Sequence, residues 1–234
     1  MSDMLHKLVY KTKTIGWLLG YFVNVIQLRL LSFYKEPQIV ELIKSTKKDV
    51  NFAFFPYEAF IVYSVAKSQS RFEADMAEVG VYQGGSARII CEAKGERRLH
   101  LFDTFGGLPP LSEKDSHFGI RYWQEGEFSD TNEIKVKKFL SKYNNVIFHK
   151  GRFPETANSV KDSKFSFVHL DVDLYESTKA CLEFFYPKLV RGGIILTHDY
   201  HSTGVQTAFR EYCSQNGISV LELTGPQCMI IKTD

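Results

Sequence analysis

The residues Glu78-Val-Gly-Val-Tyr-Gln-Gly-Gly-Ser86 close an apolar run, Ala74 to Val81, and lead into a helical pattern. A strand that breaks into glycines and then a helix presents a ligand to a helix N-terminus, whose amides and positive dipole end suit a carboxylate or phosphate. Gly84 and Gly85 would let backbone approach that ligand with no Cβ in the way. The glycines fall as Gly80-x-x-x-Gly84-Gly85 and not as G-x-G-x-x-G, so a cofactor ending in an amino-acid carboxylate fits better than a dinucleotide pyrophosphate. About twenty residues on, the strand pattern Arg98-Leu-His-Leu-Phe102 delivers Asp103, and an acid there can accept both ribose hydroxyls. Taken singly, the glycines could be a tight turn and Asp103 an N-cap; together they favour a nucleoside cofactor.

Five ordered motifs extend this pattern: Ala77-Glu-Val-Gly-Val-Tyr-Gln-Gly-Gly-Ser86, Leu101-Phe-Asp-Thr-Phe-Gly-Gly-Leu-Pro109, Lys150-Gly-Arg-Phe-Pro-Glu-Thr156, His169-Leu-Asp-Val-Asp-Leu-Tyr-Glu-Ser-Thr178 and Gly192-Gly-Ile-Ile-Leu-Thr-His-Asp-Tyr200. Through them the chain, from about Asn51 to Ile231, resembles the macrocin O-methyltransferase (TylF-like) group of class I S-adenosylmethionine-dependent methyltransferases. The glycine motif alone is also similar to that of the catechol and caffeoyl-CoA methyltransferases. The resemblance implies a three-layer, Rossmann-like α/β fold whose mostly parallel seven-stranded sheet ends in an antiparallel hairpin. It implies that Glu78, Gly80, Tyr82, Gly84, Gly85 and Ser86 surround the methionine moiety of S-adenosyl-L-methionine, with Ser86 and helix amides at its carboxylate and Asp171 close by. Asp103 and its neighbour Thr104 would hold the ribose, and Gly151 to Phe153 would approach the adenine, although a tight turn explains that last group equally well. The acceptor implied is a sugar hydroxyl on a glycosylated natural product or a surface polysaccharide precursor.

Methyl transfer to a hydroxyl needs the acceptor oxygen held in line and its proton removed, by a base or with a metal that lowers its pKa. The residues able to do this stand where the fourth and fifth strands end: Asp171, Asp173, His198 and Asp199. In the related metal-dependent enzymes the acid closing the fourth strand and two consecutive polar residues closing the fifth bind Mg²⁺, which by position are Asp171, His198 and Asp199. The family usually carries Asp-Asp where this chain has His198-Asp199. An imidazole suits Mn²⁺, Zn²⁺ or Fe²⁺ better than Mg²⁺. Alternatively His198 is itself the general base, or only bonds to a neighbouring acid. Asp173 is a second acid near the acceptor or part of a helix N-cap, and Tyr175 packs on a ligand or in the core. His169 reads as a satisfied core side chain, and His6, His100, His149 and His201 as chemically idle. His117 is a further candidate base.

The elements that must position these groups alternate from Asn51 onward, which means a parallel sheet covered by helices. Helices are expected over 56–67, 86–93, 131–143, 177–185 and 204–216. Strands are expected up to Gly80 and over 98–102, 146–149, 165–170, 194–197, 218–223 and 228–232. Between Pro109 and Asp130 the chain is loop-like and aromatic (His117, Phe118, Tyr122, Trp123, Phe128), a candidate lid or acceptor-recognition loop. At 234 residues and 44% hydrophobic composition, one sizeable core is expected, with residues 1–50 as a helical extension and 51–234 as the methyltransferase domain.

A net charge of +2 and the lack of an aromatic-interleaved basic run argue against nucleic acid. The scattered cysteines, with no C-x-x-C pair, suggest a reducing, cytoplasmic setting. Charge is nonetheless uneven: residues 1–48 hold eight Lys and Arg against three acids, an excess of five that leaves the rest at −3 within the total of +2. There Ile15 to Leu31 is strongly apolar but interrupted by Asn24, Gln27 and Arg29, too short and polar for a spanning helix. It reads as a helix packed on the domain or on another subunit of a homo-oligomer, or as a basic helix lying on the inner membrane surface. Two other classes stay open: a nicotinamide-dependent oxidoreductase, which should show G-x-G-x-x-G, and a non-catalytic scaffold that keeps the cofactor fold.

Overall fold

The structure, a computed structural model, describes residues 13–115 and 123–233, with side chains from Leu18 onward. Seven strands form one sheet in the order β3-β2-β1-β4-β5-β7-β6. They are β1 (Asp75–Val79), β2 (Leu99–Asp103), β3 (Val146–Lys150), β4 (Phe165–Leu170), β5 (Leu189–Thr197), β6 (Leu221–Glu222) and β7 (Cys228–Ile231). The first five are parallel, β7 runs antiparallel to β5, and β6 pairs with β7. Every residue of β1 and of β4 is buried, as central parallel strands covered on both faces must be. The chain reverses its direction of travel across the sheet between β1 and β4. A crevice therefore opens at their carboxyl ends.

Register decides what stands in that crevice. Val79 is level with Phe102 on one side and with Leu170 on the other, and Leu170 is level with Thr197. The next residue of each strand is Gly80, Asp103, Asp171 and His198, so four sequence-distant positions leave the sheet in one row. The ladder continues through them: Gly80 N donates to Phe102 O, Asp171 N to Val79 O and His198 N to Leu170 O, each at 2.9 Å.

The helices are α1 (Lys13–Tyr34), α2 (Pro37–Asp49), α3 (Pro56–Gln69), α4 (Gly85–Ala93), α5 (Glu133–Phe139), α6 (Tyr175–Phe185) and α7 (Thr203–Asn216). On one face of the sheet, α2, α3 and α4 pack Ile43, Val62, Ile89 and Ile90 with Leu101 and Phe167. On the other, α6 and α7 pack Phe185 and Phe209 with Phe102, Phe165 and Val168. Successive residues of one strand, such as Leu101 and Phe102, thus enter opposite layers, the period of two that a doubly covered sheet requires. Prolines open α2 and α3 at their first turns, where a missing N–H costs nothing.

Several boundaries differ from the sequence expectation. The helix expected over 131–143 spans only Glu133–Phe139, started by the Asn132 side chain accepting from Lys135 N. The strand expected over 194–197 begins at Leu189, with Gly192 (φ 81°) and Gly193 inside it at a register shift opposite Phe165 and Phe167. The strand expected over 218–223 shrinks to Leu221–Glu222, both exposed on the sheet edge. Residues 37–49, read as part of an extension, contribute buried Val40, Ile43 and Thr46 to the domain core. Asp49 also holds Arg88 of α4 at 2.7 Å.

Candidate active site

A cleft of about 530 Å³ opens over the row formed by Gly80, Asp103, Asp171 and His198, a volume in the range of small-molecule sites. Gly80, Tyr82, Gly85, Ser86, Asp103, Thr104, Gly151, Asp171, His198 and Asp199 all border it, as does Asp173. Glu78 and Gly84 do not. Glu78 is wholly buried on the face of β1 that meets His169 of β4, its Oε1 2.9 Å from His169 Nδ1. Burial raises its carboxyl above the ordinary range, against the pull of His169 and Ser86. His169 is the buried core partner that its position in β4 suggested.

The glycines also act otherwise than expected. A Cβ on Gly84 would meet Val136 at 3.0 Å, and one on Gly85 would lie 2.5 Å from the Phe52 ring. Their missing side chains make room for protein packing, and Gly85 also borders the cleft. What shapes the turn is Asp103. Its Oδ2 accepts from Val81 N at 2.6 Å and Tyr82 N at 2.8 Å, and its Oδ1 accepts from Phe105 N at 2.6 Å. A carboxylate offers about four acceptor positions, and backbone amides claim three of these, a role that spacing alone did not show. Tyr82 and Phe105 hold positive φ of 49° and 50°, and Asp173 one of 59°. Such strain in non-glycine residues collects where a site is being shaped.

Across the cleft Asp171, His198 and Asp199 offer ligand atoms that all lie within 4.8 Å of one another. His198 Nδ1 is 3.1 Å from Asp199 Oδ1 and 3.4 Å from Asp171 Oδ1, while its Nε2 is 3.3 Å from Glu58 Oε2. Three carboxylates therefore surround one imidazole. Burial alone would keep that ring neutral, but Asp199 and Asp171 outweigh it and set its pKa well above the usual value. Burial also works to raise Asp171, yet His198 reverses this and holds it below the ordinary range. Asp199 is raised by burial despite His198, and Asp173 is raised further by burial and by the charges of Asp199 and Asp171. The charges of Asp199 and Asp171 favour the protonated His198 ring and so work against its taking a proton from an acceptor. Asp199 Oδ2 is buried with no amide, hydroxyl or imidazole donor on it, so a proton shared with the Asp171 or Asp173 carboxyl, or a further electropositive group, would satisfy it.

Other contributions were not legible in the sequence. Phe54 stacks on His198 with ring centroids 4.0 Å apart and planes 8° apart, and Phe52 stacks on Phe54 at 4.8 Å. Glu58 comes from the first turn of α3, a segment without any chemical motif. His201, read as idle, borders the cleft. Tyr175 settles as a structural residue: it is buried, and its hydroxyl donates to Glu211 Oε2 at 2.6 Å. Leu174, not Asp173, is the N-cap of α6. His100 and His149 form a hydrogen-bonded chain between Asp75 and Ser159, away from the cleft. Of the aromatic loop, Trp123 packs on Phe128 and Phe128 on Tyr82, each pair 5.3 Å apart, lining one wall. His117, Phe118, Tyr122 and His6 lie outside the described residues.

Comparison with known proteins agrees with this geometry. The chain is 30% identical over 157 residues to the 8-demethyl-8-(2,3-dimethoxy-alpha-L-rhamnosyl)-tetracenomycin-C 4'-O-methyltransferase of Streptomyces olivaceus, covering 62% of this chain and 60% of that protein. It is 28% identical over 158 residues to the mycinamicin III 3''-O-methyltransferase of Micromonospora griseorubida, covering 62% of each. The matched part thus spans about three fifths of these relatives' length. Among solved structures, the O-methyltransferase NovP superposes with a TM-score of 0.68 at 21% identity, over 80% of this chain and 84% of that one. A calicheamicin methyltransferase does so with a TM-score of 0.66 at 18% identity, over 86% and 95%. Both share the fold derived above. The profile of the macrocin-O-methyltransferase (TylF) family matches residues 62–223, from within α3 to just past β6, and the chain belongs to that family.

Proposed function

We propose that this protein is an S-adenosylmethionine-dependent O-methyltransferase acting on a sugar hydroxyl of a glycosylated natural product or polysaccharide precursor. The observation that carries the reading is the single cleft shared by the Asp103-organised turn and, opposite it, the Asp171, Asp173, His198 and Asp199 cluster. One wall can hold a nucleoside and the other can manage a proton. Both sequence relatives named above carry O-methyltransferase names for natural products, one with a rhamnosyl group in its name, which supports the acceptor class.

When bound, S-adenosylmethionine supplies an electrophilic methyl group. Asp103 and the amides it organises would seat the ribose and the methionine end, and Gly151, Arg152 and Phe153 would border the base. The stacked Phe52 and Phe54 and the Trp123–Phe128 wall would exclude water from the acceptor and hold its hydroxyl in line. Asp171, which His198 holds in its ionised form, would accept the hydroxyl proton. Asp171, His198 and Asp199 also fit a divalent cation, magnesium or manganese, which would lower the acceptor's pKa. Their atoms converge, Asp199 Oδ2 has no amide, hydroxyl or imidazole donor on it, and only a proton or a cation can hold one imidazole among three carboxylates. The imidazole nitrogen favours manganese over magnesium.

Calorimetry on EDTA-treated protein, repeated with Mn²⁺, tests the cofactor, and transfer of labelled methyl to a panel of glycosides tests the reaction. Micromolar binding and labelled product are expected. Absence of S-adenosylmethionine binding with and without Mn²⁺ would overturn the reading, and binding without turnover on any hydroxylated acceptor would point to a scaffold.

The outer face of α1 adds a location to this reading. Leu18, Leu19, Phe22, Val23, Ile26, Leu30, Phe33 and Tyr34 are exposed and fill roughly 160° of the helix circumference at about 100° per residue. Gln27 and Leu31 face the domain, Gln27 Oε1 accepting from Tyr57 N. Among the described residues no helix is long and apolar enough to cross a membrane. Arg29 lies within the stripe, and no acid occurs between Lys13 and Lys35. A second copy of α1 would bury Arg29 with no partner on that helix, whereas an anionic lipid surface accepts both the apolar stripe and the charge. A lipid-linked acceptor follows naturally. Cosedimentation should occur with phosphatidylglycerol-containing vesicles and be lost in the Phe22→Ser, Ile26→Ser, Phe33→Ser variant. Equal vesicle binding by that variant, or a dimer that it abolishes in light scattering while vesicles bind neither form, would overturn the membrane assignment.

A further inference from the structure

The cation site proposed above contains an imidazole where its family usually has a carboxylate, and an imidazole poses a problem that a carboxylate does not. Either oxygen of an acid can face a cation, but a neutral imidazole has one lone pair, and whatever accepts the other N–H decides where it points. In this structure that other nitrogen faces Glu58. Its Oε2 lies 3.3 Å from His198 Nε2 and also accepts from Phe55 N at 2.8 Å, which fixes the carboxylate against the first turn of α3. Glu58 is 5% exposed, and a Cβ on Gly225, in the β6–β7 turn, would come within 3.5 Å of its Oε1. Lys47 of α2 donates to the carbonyls of Phe52 and Phe54, which holds the Phe54 ring flat against His198. Glu58 lies outside residues 62–223, the part that the family profile matches.

We propose that Glu58 is a positioning residue: it takes the Nε2–H of His198 and so turns the Nδ1 lone pair toward Asp171 and Asp199, which lets a histidine serve in a site otherwise built of acids. The assignment rests on the cation-assisted reading above. A carboxylate behind a ligating imidazole fixes its tautomer and raises its basicity, and losing such a partner typically costs about 10- to 100-fold in metal affinity. With Asp at position 198 there would be no tautomer to select and Glu58 would have nothing to position. The alternative for Glu58 is a helix cap and no more. Oε2 serves both Phe55 N and His198 Nε2, so Glu58→Gln can keep both bonds and removes the negative charge, and with it the basicity that a carboxylate lends the ring.

The test is a Mn²⁺ titration followed by the electron paramagnetic resonance signal of the free ion, on wild type, Glu58→Gln, His198→Asp and the double variant. S-adenosylmethionine calorimetry and thermal melting on the same proteins serve as controls. Expected is a loss of Mn²⁺ affinity of about 10- to 100-fold on Glu58→Gln in the wild-type background, and of no more than about twofold in the His198→Asp background. Cofactor affinity should stay the same in all four. Equal losses in both backgrounds would make Glu58 a structural residue and overturn the proposal. No loss in the wild-type background would overturn it as well, with the cation site intact. If wild-type protein binds S-adenosylmethionine but no Mn²⁺, the cation reading fails first and this assignment with it.

Discussion

Asp103→Asn is expected to cost at least about 100-fold in S-adenosylmethionine affinity, or about 2.8 kcal/mol, although the side chain barely changes shape. The reason is the number of amides that the carboxylate serves. Val81 N and Tyr82 N share Oδ2 while Phe105 N uses Oδ1. An asparagine has one oxygen, so whichever way it turns, its NH₂ faces at least one backbone N–H, donor against donor. Charge-assisted hydrogen bonds of this kind contribute roughly 1.5–3 kcal/mol each, and an unsatisfied donor adds its own cost. The bonds also hold Tyr82 and Phe105 in left-handed conformations, which cost of order 1–3 kcal/mol each when nothing enforces them. Released, both residues relax and the wall of the cleft moves with them, since Tyr82 borders it and carries the Phe128 contact. Calorimetry with S-adenosylhomocysteine, alongside thermal melting to show that the variant remains folded, measures the effect. Affinity within about threefold of wild type would mean that Asp103 neither organises the turn nor meets the ribose.

The same residue shows what was legible in the sequence and what was not. That an acid closes β2 opposite a glycine turn could be read from spacing, because strand ends and turn residues are local signals. That its carboxylate is mostly spent on backbone could not, since Val81, Tyr82 and Phe105 come to it only through the register of β1 on β2. The buried run Phe165–Leu170 was readable to the residue, and it delivered Asp171 and Asp173 to the crevice as expected. Gly84 and Gly85 were correctly marked as positions that refuse a side chain. Their protein neighbours, Val136 and the Phe52 ring, are far in sequence, so spacing could not name them. Glu58 and Phe54 were invisible for a like reason: a capping acid and an apolar residue become part of a site only when α3 settles beside β5. Pro37–Asp49 was absorbed into an extension because a short helix with Lys47 and Lys48 in its last turn looks solvated, although one side of it completes the core.

Gly80→Ala is expected to destabilise the fold by about 4 kcal/mol or more, lowering the melting temperature by roughly 10 °C or more. Two costs combine. Gly80 has φ +85°, where an alanine is strained, and its Cβ would stand 1.8 Å from the carbonyl oxygen of Asp171 and 2.7 Å from the carbonyl carbon. That neighbour is backbone and cannot rotate away. The peptide unit just before it is held from both sides, because Asp171 N donates to Val79 O and Leu170 O accepts from His198 N. The only relief is to part β1 from β4 at the switch point, which also separates the Asp103 turn from the Asp171, His198 and Asp199 cluster. Gly95→Ala isolates the first cost, since Gly95 has φ +60° with nothing within 4 Å of its would-be Cβ. That variant should lose only about 1 kcal/mol. Melting curves of the two variants beside wild type decide the matter. If Gly80→Ala melts no lower than Gly95→Ala, the β1–β4 junction yields to a methyl group, and the close fit of strand ends that brings the two halves of the site together is not what holds them there.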